Sequence, residues 1–432
     1  MRVMSLLAAA GILSAAVFAC TDGTSPAADD GVVPDASSPA AAEAGGPSPL
    51  DGASATEAPD GSVAPTDASV DASVDSSPGD ADAEPEPAPP GVRYVGRFDT
   101  SDPAGPRVAW PGARVVVRFA GTEARATLGE QVGFTGPSRY DVLVDGAFTK
   151  TLAPADGISD VVLADGLAAG THVVELHRRT ESFVGITQFR GFTFPNGGQL
   201  LAPPKAPARR LEFLGDSASN GYGVECANPN LGYSGATQNE RKAFPALAAL
   251  ALGADHHDLG FAGKGLLRNY DADDDQVFGL LYPRTMPETV GSAWDFSTYH
   301  PDVVWITLGG NDYDNAGNRP APNLAAFETK YTELVTRVRT EHPLAQIVLA
   351  VAPSLTDDYP VGYAALTSVT TAVNDVRNAR VAAGDPKVHV HVFTRADADV
   401  DLTGCEYHSN AAFHAKLALE VVAKVKAITG WP

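Results

Sequence analysis

The sequence predicts two folded domains in series, an all-β domain followed by an α/β domain with a doubly wound parallel sheet. Three observations predict this. Short runs of alternating apolar and polar residues, separated by turn residues such as Asp145-Gly146, fill the stretch 92–201. Near-continuous apolar runs alternate with helix-period runs from residue 210 to residue 432. A proline-rich connector, 202–209, separates the two patterns.

The first 20 residues are typical of an export signal. Arg2 precedes an apolar run, 6–18, that is too short to span a bilayer. The residues Val17-Phe-Ala-Cys20 resemble a bacterial lipobox, in which the cysteine becomes the lipidated first residue, although Phe18 is bulky for its position. The alternative is plain signal cleavage beside an unrelated cysteine. We expect a cell-surface or outer-membrane lipoprotein, anchored only through Cys20, or a secreted protein.

The stretch 21–91 is predicted to be a disordered acidic linker. Residues 21–90 contain fifteen Asp and Glu and no Lys or Arg. Ala, Pro, Asp, Ser and Gly dominate, so the stretch cannot bury enough apolar surface to offset its ordering entropy. The whole chain carries a net charge of −22, which argues against a nucleic-acid partner because phosphate binding needs a basic face.

The stretch 92–201 has the pattern of a β-sandwich. Its alternating runs are short, and no helix-period run interrupts them. By itself this pattern fits either a carbohydrate-binding module or a structural appendage. The predicted strands are 93–98, 113–119, 140–144, 172–177 and 191–194.

The stretch 210–432 has the alternation of a doubly wound α/β domain. Active sites in such sheets lie beyond the carboxyl ends of the strands, and Ser217, Asn311 and His408 all fall there. The predicted strands are 211–214, 303–308, 347–352 and 388–392, and the predicted helices are 244–252, 324–341, 364–383 and one from about residue 410 to Gly430.

Ser217 is the candidate nucleophile. It lies in Gly215-Asp-Ser-Ala-Ser-Asn-Gly-Tyr-Gly223, a turn that follows an apolar strand. A serine in such a turn needs a base to take its proton and donors to hold the oxyanion. His408, in Gly404-Cys-Glu-Tyr-His408, is the candidate base. The alternative for the first motif is an ordinary Gly/Ser turn.

Three groups are candidates for the oxyanion hole. Asn311, in Leu308-Gly-Gly-Asn-Asp312, could donate its side-chain amide, although Asn-Asp is also a common turn pair. The glycine loop Gly260-Phe-Ala-Gly-Lys-Gly265 could donate a backbone N–H, from Gly263 rather than Gly265. The N–H of Ser217 is the third. The alternative for the glycine loop is a turn over the sheet edge.

These motifs resemble blocks I, II and III of the SGNH (GDSL-type) hydrolases, with Gly310 in the usual Thr position of block III. The stretches 110–119, 170–181, 209–217, 264–270 and 294–297 are similar to carbohydrate esterase family 2. The resemblance covers 92–432. It implies a jelly-roll domain fused to an SGNH domain, and removal of acetyl groups from plant polysaccharides such as xylan, mannan or glucomannan.

The resemblance leaves the group that orients His408 open. An Asp usually stands three residues before this His in the superfamily, but Cys405 stands there, and Ser409 replaces the proline that often follows. Glu406, Asp401 or a backbone carbonyl near Tyr407 would substitute. We favour a Ser-His dyad with help from the carbonyl, and some family members use dyads.

Two further sets of residues are candidates around the site. Cys226 and Cys405 lie close in sequence to Ser217 and His408, so they are candidate disulfide partners in an exported protein; the alternative is two free thiols. Sugar rings stack on flat side chains, although aromatic residues more often pack in cores. The aromatic candidates near the motifs are Tyr222, Trp294, Tyr313 and Tyr407.

We expect no metal and no cofactor, and a monomer. His256 and His257, or His389 and His391, could form part of a metal site, but no third ligand has convincing spacing. Two alternatives to the deacetylase remain. One is a surface carbohydrate-binding protein with weak or no turnover, and the other is a lipase or lysophospholipase, which the lack of a long apolar lid disfavours.

Overall fold

The computed structural model describes residues 90–432. The predicted signal peptide, Cys20 and nearly all of the predicted linker lie outside these residues and stay predictions. Within 90–432, no helix is both long enough and apolar enough to cross a membrane.

Two antiparallel sheets form the first domain. One has the strand order β1-β4-β9-β6-β7, with β11 also paired to β4, and the other has the order β2-β3-β10-β5-β8. The strands are β1 (Val92–Val95), β2 (Phe98–Asp99), β3 (Arg107–Val108), β4 (Arg114–Gly121), β5 (Ala124–Val132), β6 (Tyr140–Val144), β7 (Ala147–Leu152), β8 (Gly157–Ala164), β9 (Gly170–Arg178), β10 (Gly185–Thr193) and β11 (Gln199–Leu200).

One apolar core lies between these two sheets. Val117 on β4 and Leu176 on β9 meet Leu128 on β5 and Phe189 on β10 in the same buried cluster. Strand residues alternate between this core and the outside, as expected for packed antiparallel sheets. The predicted β-sandwich is therefore confirmed, whereas jelly-roll connectivity stays a prediction.

The second domain is built on a five-stranded parallel sheet with the order β13-β12-β14-β15-β16. This order reverses direction between β12 and β14, which is where ligands bind in doubly wound folds. The elements are β12 (Arg209–Gly215), α1 (Phe244–Leu252), β13 (Ala254–Gly260), α2 (Phe278–Leu281), β14 (Val303–Thr307), α3 (Leu324–Glu341), β15 (Gln346–Val351), α4 (Ala365–Ala382), β16 (Val388–Val392) and α5 (Ala411–Thr429).

Helices cover both faces of the parallel sheet. Val304 and Ile306 of β14 point into a cluster shared with α3 and α4, and Val303 and Trp305 point into a cluster shared with α1 and α5. Alternate residues of one strand thus enter two cores, which explains why β14 is apolar throughout. The predicted doubly wound α/β domain is confirmed.

Strand β13 was missed by the sequence analysis. Its residues, Ala-Asp-His-His-Asp-Leu-Gly, include four ionisable side chains, yet all seven residues are buried. The polar side chains are buried because the first domain covers this edge of the sheet. Arg93 and Arg114, on β1 and β4, form ion pairs with Asp255 at 2.8 and 2.7 Å.

A buried arginine also joins the two domains, which belong to one compact unit. Arg97, just after β1, has no exposed surface. Its guanidinium pairs with Glu212 of β12 at 3.1 Å and donates to the main-chain carbonyls of Tyr282 and Arg284. Burial alone would raise the pKa of Glu212, but Arg97 and His342 hold it at about 2, so the pair is charged.

Candidate active site

A tight turn after β12 presents Ser217. Asp216 forms the turn: one carboxylate oxygen accepts from the Ala218 N–H at 2.9 Å, and its main-chain carbonyl accepts from the Ser219 N–H at 3.0 Å. A side chain at position 215 would collide with Ser219, so the turn requires Gly215. Ser217 and Ala218 stay partly exposed, whereas Asp216 and Ser219 on either side of them are buried.

Ser217 and His408 are in direct contact. The Ser217 Oγ lies 2.8 Å from His408 Nε2, and 191 residues separate them in sequence. Burial lowers the pKa of His408 below its usual 6.5, and this effect outweighs the hydrogen bond to Cys405, which raises the pKa. The imidazole is therefore neutral near pH 7 and able to accept a proton.

The main-chain carbonyl of Cys405 orients His408. His408 Nδ1 lies 3.0 Å from this oxygen. A carbonyl oxygen only accepts, so Nδ1 carries the proton and Nε2 is left with a lone pair for Ser217. Glu406 and Tyr407 adopt φ values of +52° and +59°, and this left-handed turn folds the carbonyl back towards the ring.

The carboxylate of Glu406, the candidate for this orienting role, has another partner. It accepts from the Tyr222 hydroxyl at 2.6 Å, and Glu406 is exposed. Asp401 accepts instead from Lys416 Nζ at 2.9 Å and from the Asp397 N–H at 3.0 Å. Of the three orienting groups considered from the sequence, the backbone carbonyl is the one that lies beside His408 Nδ1.

Two backbone N–H groups near Ser217 are free to receive an oxyanion. Gly263 has φ +77°, a conformation that favours glycine, and its carbonyl accepts from the Tyr270 N–H at 2.7 Å. Among the described residues, the N–H groups of Gly263 and Ser217 have no hydrogen-bond acceptor. An oxyanion hole needs such unoccupied donors.

The side-chain amide of Asn311 is hydrogen-bonded within the protein. Its Nδ2 donates to an Asp216 carboxylate oxygen at 3.0 Å and to the Lys264 carbonyl at 2.9 Å. Both amide hydrogens are therefore used within the protein, between the nucleophile turn and the glycine loop. Burial raises the pKa of Asp216 to about 7, and the bond from Asn311 opposes that rise.

Cys226 and Cys405 form a disulfide with their Cα atoms 5.2 Å apart. The bridge joins the segment that follows Ser217 to the turn that orients His408. Cys405 N–H also donates to the Gly223 carbonyl at 3.0 Å. The loop carrying the base is thus attached to the loop carrying the nucleophile by the disulfide, by this hydrogen bond and by the bond from the Tyr222 hydroxyl to Glu406.

Comparison with known proteins assigns both domains. The family model described as carbohydrate esterase 2 N-terminal matches residues 94–204, and that of the GDSL-like lipase/acylhydrolase family matches residues 213–416. A family two carbohydrate esterase from Clostridium thermocellum, solved in complex with cellohexaose, is 34% identical, with a TM-score of 0.72 over 79% of this chain and 100% of that chain. The chain belongs to carbohydrate esterase family 2.

Two curated relatives of this family 2 protein carry enzyme names. The cellulase/esterase CelE of Acetivibrio thermocellus is 35% identical over 348 residues, which are 80% of this chain and 40% of CelE. An acetylxylan esterase / glucomannan deacetylase of Cellvibrio japonicus is 27% identical over 350 residues, 79% of this chain and 90% of that protein. The chain therefore spans less than half the length of CelE, and both relatives carry esterase in their names.

Of the four aromatic candidates in the family 2 protein, two lie at the site. The Tyr222 ring packs 4.4 Å from the His408 ring, and Tyr407 is exposed beside His408 with its hydroxyl 2.8 Å from Asn230 Oδ1. The other two lie elsewhere.

Trp294 and Tyr313 do not line the site. Trp294 packs at the domain interface, its ring 5.2 Å from the Arg97 guanidinium and 5.9 Å from the His257 ring. Tyr313 is buried, with its ring 5.4 Å from Phe327 of α3. Both residues were predicted to lie at the site because they are close to motifs in sequence. Their side chains instead pack into the core.

The family 2 protein brings His256 together with two groups that sequence reasoning did not connect. His256 Nε2 lies 3.0 Å from one carboxylate oxygen of Glu240, and His177 Nε2 lies 2.5 Å from the other. All three are buried, and their ligand-type atoms lie within 4.8 Å of one another. Each carboxylate oxygen already has an imidazole partner, so hydrogen bonds across the domain interface account for the cluster.

Asp312 was also missed as a site residue. Its carboxylate accepts from three consecutive main-chain N–H groups, those of Leu266, Leu267 and Arg268, at 2.6 to 3.1 Å. Burial raises the pKa of Asp312 while these bonds lower it. Asp312 therefore ties the residues just after the glycine loop to the turn that follows β14, a role that the Asn-Asp motif alone does not reveal.

Proposed function

We propose that this protein is a serine esterase that removes acetyl groups from O-acetylated plant polysaccharides or oligosaccharides, such as xylan, mannan or glucomannan. The observation that carries the proposal is the Ser217 Oγ to His408 Nε2 contact of 2.8 Å, with Nδ1 held by the Cys405 carbonyl. This is a nucleophile, a base and an orienting group in one hydrogen-bonded line.

The proposed mechanism passes through an acetyl-enzyme. Ser217 Oγ attacks the acetyl carbonyl carbon as its proton moves to His408 Nε2, and the N–H groups of Ser217 and Gly263 hold the oxyanion. The C–O bond to the sugar then breaks, and the proton passes from His408 to the leaving sugar hydroxyl. Water, deprotonated by His408, releases acetate and restores Ser217.

The relatives and the aromatic surface support the substrate class. One relative is named for both acetylxylan and glucomannan, and a family two structure contains cellohexaose. Tyr407 is 60% exposed beside the base, which leaves a ring available for stacking on a sugar. An acetylated sugar would then be held over Ser217 by its ring rather than by its acyl chain.

Acetate release tests this proposal. We expect the full chain to release acetate from acetylated xylan and glucomannan, and to hydrolyse 4-nitrophenyl acetate faster than the butyrate and octanoate esters. Faster hydrolysis of the octanoate ester would support a lipase instead. Absence of hydrolysis with every ester, together with binding to the polysaccharides, would support a carbohydrate-binding protein without turnover.

The pKa of His408 predicts the acid side of the pH profile. Only the neutral imidazole accepts the Ser217 proton, and burial lowers its pKa below 6.5. We therefore expect kcat/KM to fall on the acid side with a midpoint below pH 6.5. Titration of the His408 ring protons by NMR, assigned with a His408→Gln variant, measures this pKa directly. A value above 6.5 would contradict the prediction.

Replacing Glu406 distinguishes a dyad from a triad. In a triad, neutralising the orienting acid lowers kcat by about 10⁴-fold. Glu406 instead accepts from the Tyr222 hydroxyl, and the side-chain oxygen of Gln can accept the same bond. We expect Glu406→Gln to change kcat/KM on 4-nitrophenyl acetate by less than about threefold. A loss of about 100-fold or more would assign the orienting role to Glu406.

A further inference from the structure

A turn of the first domain enters the second domain beneath the candidate active site. It contains a short 3-10 helix, Ser182–Val184, between β9 and β10. Glu181, at its start, has no exposed surface. An ionisable side chain is rarely buried so completely without partners, so the contacts of Glu181 indicate its role.

Both carboxyl oxygens of Glu181 accept hydrogen bonds from the second domain. Oε2 lies 2.5 Å from the Ala262 N–H, and Oε1 lies 3.2 Å from Gln238 Nε2. The Glu181 N–H donates in return to Gln238 Oε1 at 3.1 Å. Glu181 and Gln238 thus form a reciprocal pair that fixes the orientation of each side chain.

The bond to Ala262 fixes the residue that precedes Gly263. The same loop is held on either side by two further bonds, from the Phe261 N–H to the Gly215 carbonyl at 3.2 Å and from the Lys264 N–H to the Phe261 carbonyl at 3.3 Å. The N–H groups of 261, 262 and 264 are therefore all used. In this run of the described residues, Gly263 N–H alone has no acceptor within the protein.

The partner of Glu181 also contacts the nucleophile turn. Gln238 Nε2 lies 3.3 Å from the main-chain carbonyl of Asn220 and 3.4 Å from its Oδ1. Asn220 is three residues beyond Ser217 and is fully buried. The Glu181–Gln238 pair therefore joins the loop that carries the oxyanion donor to the turn that carries the nucleophile.

The same turn of the first domain also supports the base through aromatic contacts. The Phe183 ring lies 5.6 Å from Tyr233 and 5.8 Å from Phe261. Tyr233 stacks on Tyr222 at 4.2 Å, and Tyr222 packs 4.4 Å from His408. The contacts of residues 181–183 thus reach both the oxyanion loop and the base.

We propose that Glu181 is a positioning residue of the esterase: its carboxyl group, supplied by the β-sandwich domain, holds the 261–264 loop so that Gly263 N–H points at the oxyanion. This role rests on the proposed function of Gly263. Displacing an oxyanion donor weakens transition-state binding more than substrate binding, so the loss falls on kcat rather than on KM.

The charge of Glu181 fits this role. Burial raises its pKa to about 8, although the Ala262 N–H lowers it, and the charge of Asp216 raises it further. The carboxyl group is therefore mostly protonated at pH 7 and adds little negative charge beside the oxyanion. Replacement by Gln keeps the group neutral. Both oxygens of Glu181 accept a hydrogen bond, whereas the amide nitrogen of Gln cannot accept one. An N–H of Gln would therefore face another donor, either the Ala262 N–H or Gln238 Nε2.

The test compares Glu181→Gln with Glu130→Gln in the full chain. Glu130 is a matched control because it is a buried carboxyl of the same domain with a raised pKa, bonded to the Ser138 N–H and the Thr187 hydroxyl, away from the second domain. We expect Glu181→Gln to lower kcat on 4-nitrophenyl acetate by about tenfold or more, with KM within about twofold.

Affinity for methylboronic acid gives a second readout. Its boron adds to Ser217 Oγ and places a tetrahedral oxygen in the oxyanion hole, so its Kd should rise by about the same factor as kcat falls. A purely structural role would lower the melting temperature without changing either value for the folded protein. The Glu130→Gln variant should show that pattern.

Three outcomes would overturn the proposal. They are a folded Glu181→Gln variant with kcat within about twofold of wild type, an equal loss in Glu130→Gln, and a loss confined to KM. If Glu181→Gln does not fold, Glu181→Asp, which is one methylene shorter, is judged by the same values. A wild-type chain without Ser217-dependent hydrolysis would overturn the proposed function itself, and this role with it.

Discussion

Replacing Ser217 by alanine is expected to lower kcat/KM for acetate release by about 10⁴-fold or more, because no other hydroxyl contacts His408 Nε2 in the described residues. The free N–H groups of Ser217 and Gly263 remain in the variant, so weak residual hydrolysis over the uncatalysed rate is expected. Acetate release from 4-nitrophenyl acetate and acetylated xylan measures the loss.

Ser219→Ala is the matched control for this experiment. Ser219 lies in the same turn and is buried, but its hydroxyl donates to the Asp216 carbonyl at 2.9 Å and does not contact His408. We expect its kcat/KM to stay within about threefold of wild type, at a cost of about 1 kcal/mol in stability. Equal activity in Ser217→Ala and wild type would show that Ser217 is not the nucleophile.

Replacing Arg97 by alanine is expected to lower the free energy of unfolding by about 3–5 kcal/mol. The substitution leaves the buried Glu212 carboxylate without its cation and the carbonyls of Tyr282 and Arg284 without their donor. Removing one partner of a buried ion pair costs more than the pair contributes, because the remaining charge stays desolvated. Urea unfolding followed by tryptophan fluorescence measures the change.

Arg107→Ala provides the comparison for Arg97. Arg107 pairs with Asp99 within the first domain, and its side chain is 41% exposed, so its loss should cost no more than about 1 kcal/mol. A double variant, Arg97→Met with Glu212→Met, should recover part of the loss because no unpaired charge remains. Similar losses for Arg97→Ala and Arg107→Ala would contradict this account of the interface.

The sequence predicted the parts of the site that depend on local motifs at strand ends. Ser217 and His408 are 191 residues apart, yet each follows an element whose position in a doubly wound sheet could be inferred from apolar runs. The carbonyl that orients His408 was among the groups considered, because Cys405 stands where an acid was expected. Local sequence and fold class were sufficient for these residues.

Residues that depend on contact between the two domains were not predicted. Strand β13 contains His256 and His257, which are unusual in a buried parallel strand, and the first domain reaches this strand through His177, beside His256, and through two arginines that pair with Asp255. Glu181 contacts Ala262 and Gln238, each more than 50 residues away, and no motif marks it. Such partners become visible only when the interface is known.

Asn311 shows a second limit of prediction from sequence motifs. Its position after β14 was inferred from the motif, and its side-chain amide was expected to donate to the oxyanion. In the structure the amide joins Asp216 to Lys264. A motif names a residue type and a place, whereas the hydrogen-bonding direction of an amide depends on which acceptors lie nearest in the folded chain.

The acceptor that orients His408 is a main-chain oxygen, so mutations affect it differently from a side-chain acceptor. Every amino acid carries a main-chain oxygen, so no missense change at position 405 can delete the acceptor that orients His408. Changes that straighten the left-handed pair Glu406 and Tyr407 can, and proline, whose φ is fixed near −65°, is the clearest example. A substitution that removes this acceptor from His408 would therefore act by altering the backbone shape and not by deleting a chemical group.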